Sequence, residues 1–219
     1  MSLKRKAINQ LQPLNNKNTN NREDRKILVI LPGASGKLSK CMIDKLIPLL
    51  RNHYEVRILE SKWKGWNPMS SSNIQKVLDI CPSEGVWYVL GNSFGCRVAC
   101  SLYSSNSFVC PPAKVILCGY PMYGPKGTEE RVECIQSLPE GTEVLCISGS
   151  KDEFLGRGPD RKLTGKSLYE HVIRGMPCRE TTRVHILDGG GHGVLDVPSK
   201  LQSEAVNTVL QWIVNFTQE

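Results

Sequence analysis

At 219 residues the chain is sized for one α/β domain rather than two, and with 40% hydrophobic and 22% charged residues it can fill one complete core. Its net charge of +7 is concentrated at one end: residues 1–26 hold seven Lys or Arg against Glu23 and Asp24, a net +5, which leaves +2 for the rest. A folded nucleic-acid binder keeps its basic patch on the domain, so that class is excluded. So is a membrane-spanning chain, because no apolar run exceeds strand length.

Residues 1–25 are polar and Asn-rich, have no apolar segment of the kind a secretory signal needs, and read as a disordered tail. The folded domain is expected over residues 26–219. From Lys26 onward, apolar runs alternate with segments of helical patterning. The runs are ILVIL (27–31), YEVRILE (54–60), VWYVL (86–90), KVILCG (114–119), VLCIS (144–148) and RVHIL (183–187). They are continuous rather than alternating, as expected for strands covered on both faces. Helices are expected over 37–51, 73–80, 97–103, 129–138, 166–176 and 201–216. This repetition predicts a doubly wound, mainly parallel six-stranded sheet with helices on both faces. In such a sheet, ligands gather at the carboxyl ends of the strands.

The first of these ends, LPGASGKLSK after ILVIL, has two incompatible readings. Lys37 and Ser39 suggest a phosphate cradle, but a Walker A loop needs G-x-x-x-x-G-K-[ST]. Here Gly33 and Gly36 are three apart, and Leu38 follows the lysine; the dinucleotide fingerprint is absent too. The alternative is a loop that turns backbone N–H groups toward an oxyanion. The third end, GNSFG (91–95), matches G-x-S-x-G between a buried strand and a helix, which exposes Ser93 at a sharp turn with the Phe94 N–H beside it. The plainer reading is a tight turn with a capping serine.

A serine hydroxyl needs a base. Of the four histidines, His53 precedes a strand, His171 lies in a helical segment and His185 within a strand. Only His192 follows a strand, in the glycine-rich turn LDGGGHGVLD. The acid expected to orient it is Asp152, after VLCIS in GSKDEF, with Glu153 and Asp188 as rivals. The order Ser93, Asp152, His192 is that of α/β-hydrolases. With a nucleophile in place, the loop after the first strand reads as an oxyanion loop. The N–H of Ala34, with Ser35 as the alternative, joins that of Phe94. Ser35 is also a candidate substrate contact.

The nine cysteines form no CxxC pair, and several, such as Cys118 and Cys146, sit in apolar runs. They read as buried free thiols of a reducing compartment, the cytoplasm with the nucleus as a second location. Clustered Cys and His at zinc-ligand spacing are absent, so no metal is expected, and the serine chemistry requires no organic cofactor.

From about Ile27 onward the sequence resembles the α/β-hydrolase-like group that includes testis-expressed protein thirty and regulatory subunit three of the NSL histone-acetyltransferase complex. LPGASG, GNSFGCRVAC, GYPMYGP and SGSKDEFLG carry the resemblance. It implies a minimal α/β-hydrolase fold without the first hairpin, with Ser93, Asp152 and His192 at the catalytic positions. It also implies that Tyr120 and Pro121 form a loop near the site.

The reading is a serine hydrolase acting on a small ester, thioester or amide. The alternative is a scaffold that keeps the fold and binds a protein partner, with Lys4–Lys6 available for it. A monomer or weak dimer is expected. The connection of residues 119–128 is too short for a helical lid, and FLGRGPDRKLTGK after Glu153 adds Arg157, Asp160, Arg161 and Lys162 rather than apolar wall. An open, partly basic mouth favours small or anionic acyl groups.

Overall fold

The structure, a computed structural model, describes residues 26–124, 129–155 and 165–219. The expected tail, part of the short connection after the fourth strand, and the charged segment with Arg157, Asp160, Arg161 and Lys162 lie outside the described residues. Six strands form one wholly parallel sheet: β1 (Ile27–Leu31), β2 (Glu55–Ile58), β3 (Trp87–Asn92), β4 (Lys114–Cys118), β5 (Glu143–Gly149) and β6 (Thr182–Leu187). Their spatial order is β2-β1-β3-β4-β5-β6.

The continuous apolar runs have a simple cause. Successive side chains point to opposite faces, and each face has its own core. Val29, Leu31, Val89, Val115, Leu117 and Cys146 pack on one side, while Leu28, Ile30, Leu90, Ile116, Leu145 and Ile147 pack on the other; all are fully buried. Each such Leu, Ile or Val contributes about 1.5–3 kcal/mol relative to exposure. The first face is covered by α2 (Ser71–Leu78), α3 (Phe94–Ser104), α4 (Glu133–Gln136) and α5 (Gly165–Arg174), the second by α1 (Ile47–Leu50) and α6 (Gln202–Gln218).

Right-handed crossovers dictate that division. The chain moves from β1 to β2 in one direction and then returns over β1 to β3 and onward, so α1 falls on the face opposite α2–α5. The reversal between β1 and β3 opens a crevice at their carboxyl ends, where ligands bind in sheets of this kind.

Two helices differ from expectation. The segment expected from Lys37 carries a π-helical turn at Met42–Leu46 before α1, in which the Ile47 N–H reaches back five residues to Met42 O. Pro48 follows at once; it cannot donate to the turn before it, and the widened turn accommodates that loss. The helix expected over 129–138 shrinks to one turn, Glu133–Gln136. Its first residues instead form a narrow antiparallel contact, with Arg131 N–H donating to Met122 O at 2.8 Å and Gly124 N–H to Glu129 O at 2.7 Å.

Among the described residues no helix is long and apolar enough to cross a membrane. All nine cysteines are free thiols, and Cys96, Cys100, Cys118, Cys134, Cys146 and Cys178 are buried. Burial pushes these thiols up, Cys118 to about 12, and it does the same to half-buried Cys81. Burial also raises Cys41, so, because the thiolate is the reacting form, native protein near neutral pH should react with a maleimide only at Cys41, Cys81 and Cys110, with Cys41 slowed and Cys81 slowest. The other six should react only after unfolding. Mass mapping of the alkylated peptides checks this, and rapid modification of Cys96 or Cys146 would refute the packing.

Candidate active site

β3 ends at Asn92 and α3 begins at Phe94, so Ser93 alone turns the chain, at φ 52° and ψ −116°. A non-glycine residue held there costs on the order of 1–3 kcal/mol and persists only where its surroundings enforce it. Two glycines make the turn possible. A Cβ on Gly91 would stand 2.5 Å from Cys96 Cα; one on Gly95 would collide with Leu31 O and lie 2.7 Å from Pro32 O. The start of α3 can therefore fold back on β3 while the loop after β1 crosses directly over Gly95. The Ser93 N–H donates to Cys118 O at 3.0 Å and Ser93 O accepts from the Cys96 N–H at 2.9 Å, locking the turn.

Asp152 follows β5, and its side chain is fully buried. A buried carboxylate is tolerable only when its oxygens are occupied. Here Oδ1 accepts from the Phe154 N–H at 2.9 Å, Oδ2 from the Ser148 hydroxyl at 3.3 Å, and both lie 3.1 Å from His192 Nδ1. An ionised carboxylate only accepts, so Nδ1 carries the proton and Nε2 presents its lone pair. That lone pair meets the Ser93 hydroxyl: Oγ and Nε2 are 2.8 Å apart. Phe154 stands beside the imidazole, ring centres 4.2 Å apart, and shields one side of it from water.

The loop that delivers His192 is tied both to the Asp152 loop and to itself. The Lys151 N–H donates to Gly190 O at 2.8 Å, and the Gly193 N–H to Asp196 Oδ2 at 3.1 Å. Gly119, at φ 63° after β4, lets the loop descend, because a Cβ there would strike His192 O. The rival acids are elsewhere. Asp188 accepts from the Ser150 hydroxyl at 3.1 Å, and Glu153 is exposed. Among the other histidines, His185 stacks on Trp212 with ring centres 4.7 Å apart, and burial lowers its pKa; His53 and His171 are exposed.

The loop after β1 turns at Gly33–Gly36, the Gly36 N–H donating to Gly33 O at 2.9 Å. It lies against the serine: a Cβ on Gly33 would sit 3.4 Å from Ser93 Cβ. Among the described residues, the N–H groups of Ala34 and Phe94 donate to no protein acceptor and remain available to a ligand. A cavity of about 190 Å³ opens here, lined by Ala34, Trp63, Gly65, Trp66 and Phe94. A larger cleft of about 450 Å³, bordered by Leu38, Ile43, Ile47 and Ile58, lies toward α1, and none of Ser93, Asp152 and His192 lines it. Among the described residues no group of three His, Cys, Asp or Glu is placed to hold a metal ion.

The geometry brings Ser93, His192, Asp152, Phe94 and Ala34 together. It treats the remaining candidates differently. Ser35 is exposed, its Oγ turned back to accept from the Lys37 N–H at 3.3 Å. Tyr120 and Pro121 do not line the opening. Tyr120 is fully buried with its hydroxyl donated to Arg131 O at 2.7 Å, and Pro121 is buried beside it, so both support the site from beneath. Three residues not singled out in the sequence complete the surroundings: Trp63, Trp66 and Phe154. A signal for the tryptophans was present, since SKWKGW is itself a loop at a strand's carboxyl end.

No curated protein matches the chain by sequence. Among solved structures it is similar to Est1E from Butyrivibrio proteoclasticus (TM-score 0.59, 11% identity, 91% of this chain and 91% of that one). It is also similar to a soluble variant of monoglyceride lipase from Saccharomyces cerevisiae (TM-score 0.56, 12% identity, 88% and 87%) and to the thioesterase domain from the curacin biosynthetic pathway (TM-score 0.56, 13% identity, 87% and 91%). At such identities these likenesses establish the fold. The family model described as alpha/beta hydrolase domain matches residues 57–218, which contain Ser93, Asp152 and His192. The chain thus belongs to the alpha/beta hydrolase family.

Proposed function

We propose that the protein is a serine hydrolase of small esters, thioesters or amides, with Ser93 as nucleophile, His192 as general base and acid, and Asp152 as the group that orients His192. The observation that carries the proposal is the continuous hydrogen-bonded line from Ser93 Oγ through both His192 nitrogens to the buried Asp152 carboxylate. Membership of the alpha/beta hydrolase family supports it. Kinship with the narrower group of testis-expressed protein thirty and NSL complex regulatory subunit three belongs to the same proposal, as do a cytoplasmic or nuclear setting and a monomeric or weakly dimeric state.

In the proposed reaction Ser93 Oγ attacks the acyl carbon while its proton passes to His192 Nε2. The tetrahedral oxyanion is met by the Ala34 and Phe94 N–H groups, each such donor being worth roughly 2.7–4 kcal/mol in the transition state. The carbonyl re-forms as the bond to the alcohol, thiol or amine breaks, and the leaving group takes the proton from His192. Water then gives a proton to His192 and attacks the acyl-Ser93 ester, releasing the acid and restoring the serine.

The cavity beside the oxyanion loop suggests the size of the acyl group. At about 190 Å³ it falls below the ~300–1,000 Å³ usual for sites that bury drug-sized ligands. Trp66 closes its outer side, packed edge-on against Phe94 with ring centres 6.0 Å apart, while remaining 65% exposed itself.

A fluorophosphonate probe should label Ser93, as read by peptide mapping, and labelling should vanish in Ser93→Ala. Turnover should fall by several orders of magnitude, up to about 10⁶. Equal labelling of both proteins would remove Ser93 from the mechanism. Asp152→Asn, which keeps the shape but favours the wrong imidazole tautomer, should lower kcat by up to about 10⁴. In a p-nitrophenyl ester series kcat/KM should peak at short acyl chains, and Trp66→Ala should move that peak to longer ones. A steady rise through long chains in the wild type would refute the small acyl site.

A further inference from the structure

The loop that offers the Ala34 N–H has one bond of its own across the turn, from the Gly36 N–H to Gly33 O at 2.9 Å, and the Pro32 carbonyl takes no part in it. The loop contains Gly33 and Gly36, and a peptide unit next to glycine can flip at little cost. A flip at Gly33–Ala34 would replace the donor with a carbonyl oxygen, turning stabilisation of an oxyanion into repulsion. A second hold on that peptide plane comes from outside the loop. The partner lies 30 residues further along the chain: the buried indole of Trp63 donates its single Nε1–H to two successive carbonyls, Pro32 O at 3.0 Å and Gly33 O at 2.9 Å.

A trans peptide is planar, with its C=O and N–H pointing in opposite directions. Fixing both carbonyls toward Trp63 therefore turns the Gly33 and Ala34 N–H groups away from it. The same indole packs edge-on against Phe94, ring centres 5.6 Å apart, so one side chain bears on both proposed oxyanion donors. Its own position is secured from α2. Asn73, fully buried, accepts from the Lys64 N–H at 2.8 Å and donates to Asn67 O at 3.0 Å, clamping the segment on either side of Gly65 and Trp66. The indole N–H, at a site this dry, would be costly to leave unpaired, so the bond is maintained whether or not substrate is present.

We propose that Trp63 is a positioning residue for the oxyanion hole: it holds the Pro32–Ala34 peptide planes so that the Ala34 N–H faces the reacting carbonyl, without touching substrate through its N–H. The inference rests on the serine-hydrolase reading above. Trp63 also lines the small cavity, but its N–H acts only through the loop, so the N–H should matter for the transition state and hardly for ground-state binding.

The test compares wild type with Trp63→Phe, and with protein carrying at position 63 a benzothienyl isostere, which keeps the bicyclic ring and replaces N–H with sulfur. The isostere decides the matter if Trp63→Phe folds poorly. With p-nitrophenyl acetate, kcat should fall about tenfold to a hundredfold, part of the ~10²–10³ lost when an oxyanion donor is removed outright, while KM stays within about threefold. The inhibition constant of a trifluoromethyl ketone, whose Ser93 adduct carries the oxyanion, should rise by the same factor. If the isostere folds with unchanged kcat and unchanged ketone affinity, Trp63 is only a packing residue and the proposal is overturned. Wild type that turns over no ester and takes up no fluorophosphonate would overturn the hydrolase reading and this inference with it. Active wild type with an indifferent isostere would overturn this inference alone.

Discussion

The backbone of Ser93 is held in a conformation that an L-residue avoids, and the site is arranged around that constraint. Turning the chain so sharply between β3 and α3 leaves the Ser93 side chain proud of the sheet and the Phe94 N–H without an intrahelical partner. The strain is sustained because both ends of the turn are fixed: β3 is a fully buried strand between β1 and β4, and α3 is buried along most of its length. Gly91 and Gly95 are the steric condition for it, since any side chain at either position would meet backbone. A turn on the rim of a less enclosed sheet would relax, and the serine would lose its exposure.

The parallel sheet then does the assembling. Every strand delivers its carboxyl end to the same rim, and neighbours stand about 4.8 Å apart. Ser93 after β3 and Asp152 after β5 are separated by β4, a gap of the size an imidazole bridges. Gly119 keeps the end of β4 low enough for the His192 loop to enter from β6. Backbone bonds, Lys151 N–H to Gly190 O and Ser150 N–H to Leu187 O, tie the Asp152 and His192 loops to each other. The serine is held separately by the Cys118 carbonyl. The Ser93–His192 hydrogen bond thus joins side chains delivered from two differently braced loops.

Aromatic side chains set the local medium. Phe154 lies against the imidazole, and Trp63 and Trp66 pack edge-on against Phe94. Such rings exclude water, which in the proposed reaction would strengthen every dipole aimed at a developing charge. The buried Asp152 carboxylate gains for the same reason. Its oxygens are occupied by Phe154 N–H, Ser148 and His192, so the medium that makes it costly alone makes it effective when paired.

The sequence by itself determined the parallel sheet, because a strand covered on both faces must be apolar at every position, and that signal is local. It also determined the elbow, whose glycines are a steric necessity within five residues, and the order of Ser93, Asp152 and His192. The helix expected over 129–138 is cut short for a related reason: its pattern is local, but the antiparallel contact that replaces its first turn depends on Met122 and Gly124 across the loop. Nothing near Tyr120 in sequence reveals that its ring is fully buried and its hydroxyl taken by Arg131 O. Only the tertiary structure decided which acid meets His192, and that Trp63 grips the loop after β1. Those pairings join residues 40 and 30 positions apart, and contacts at such separations leave no periodicity in the chain.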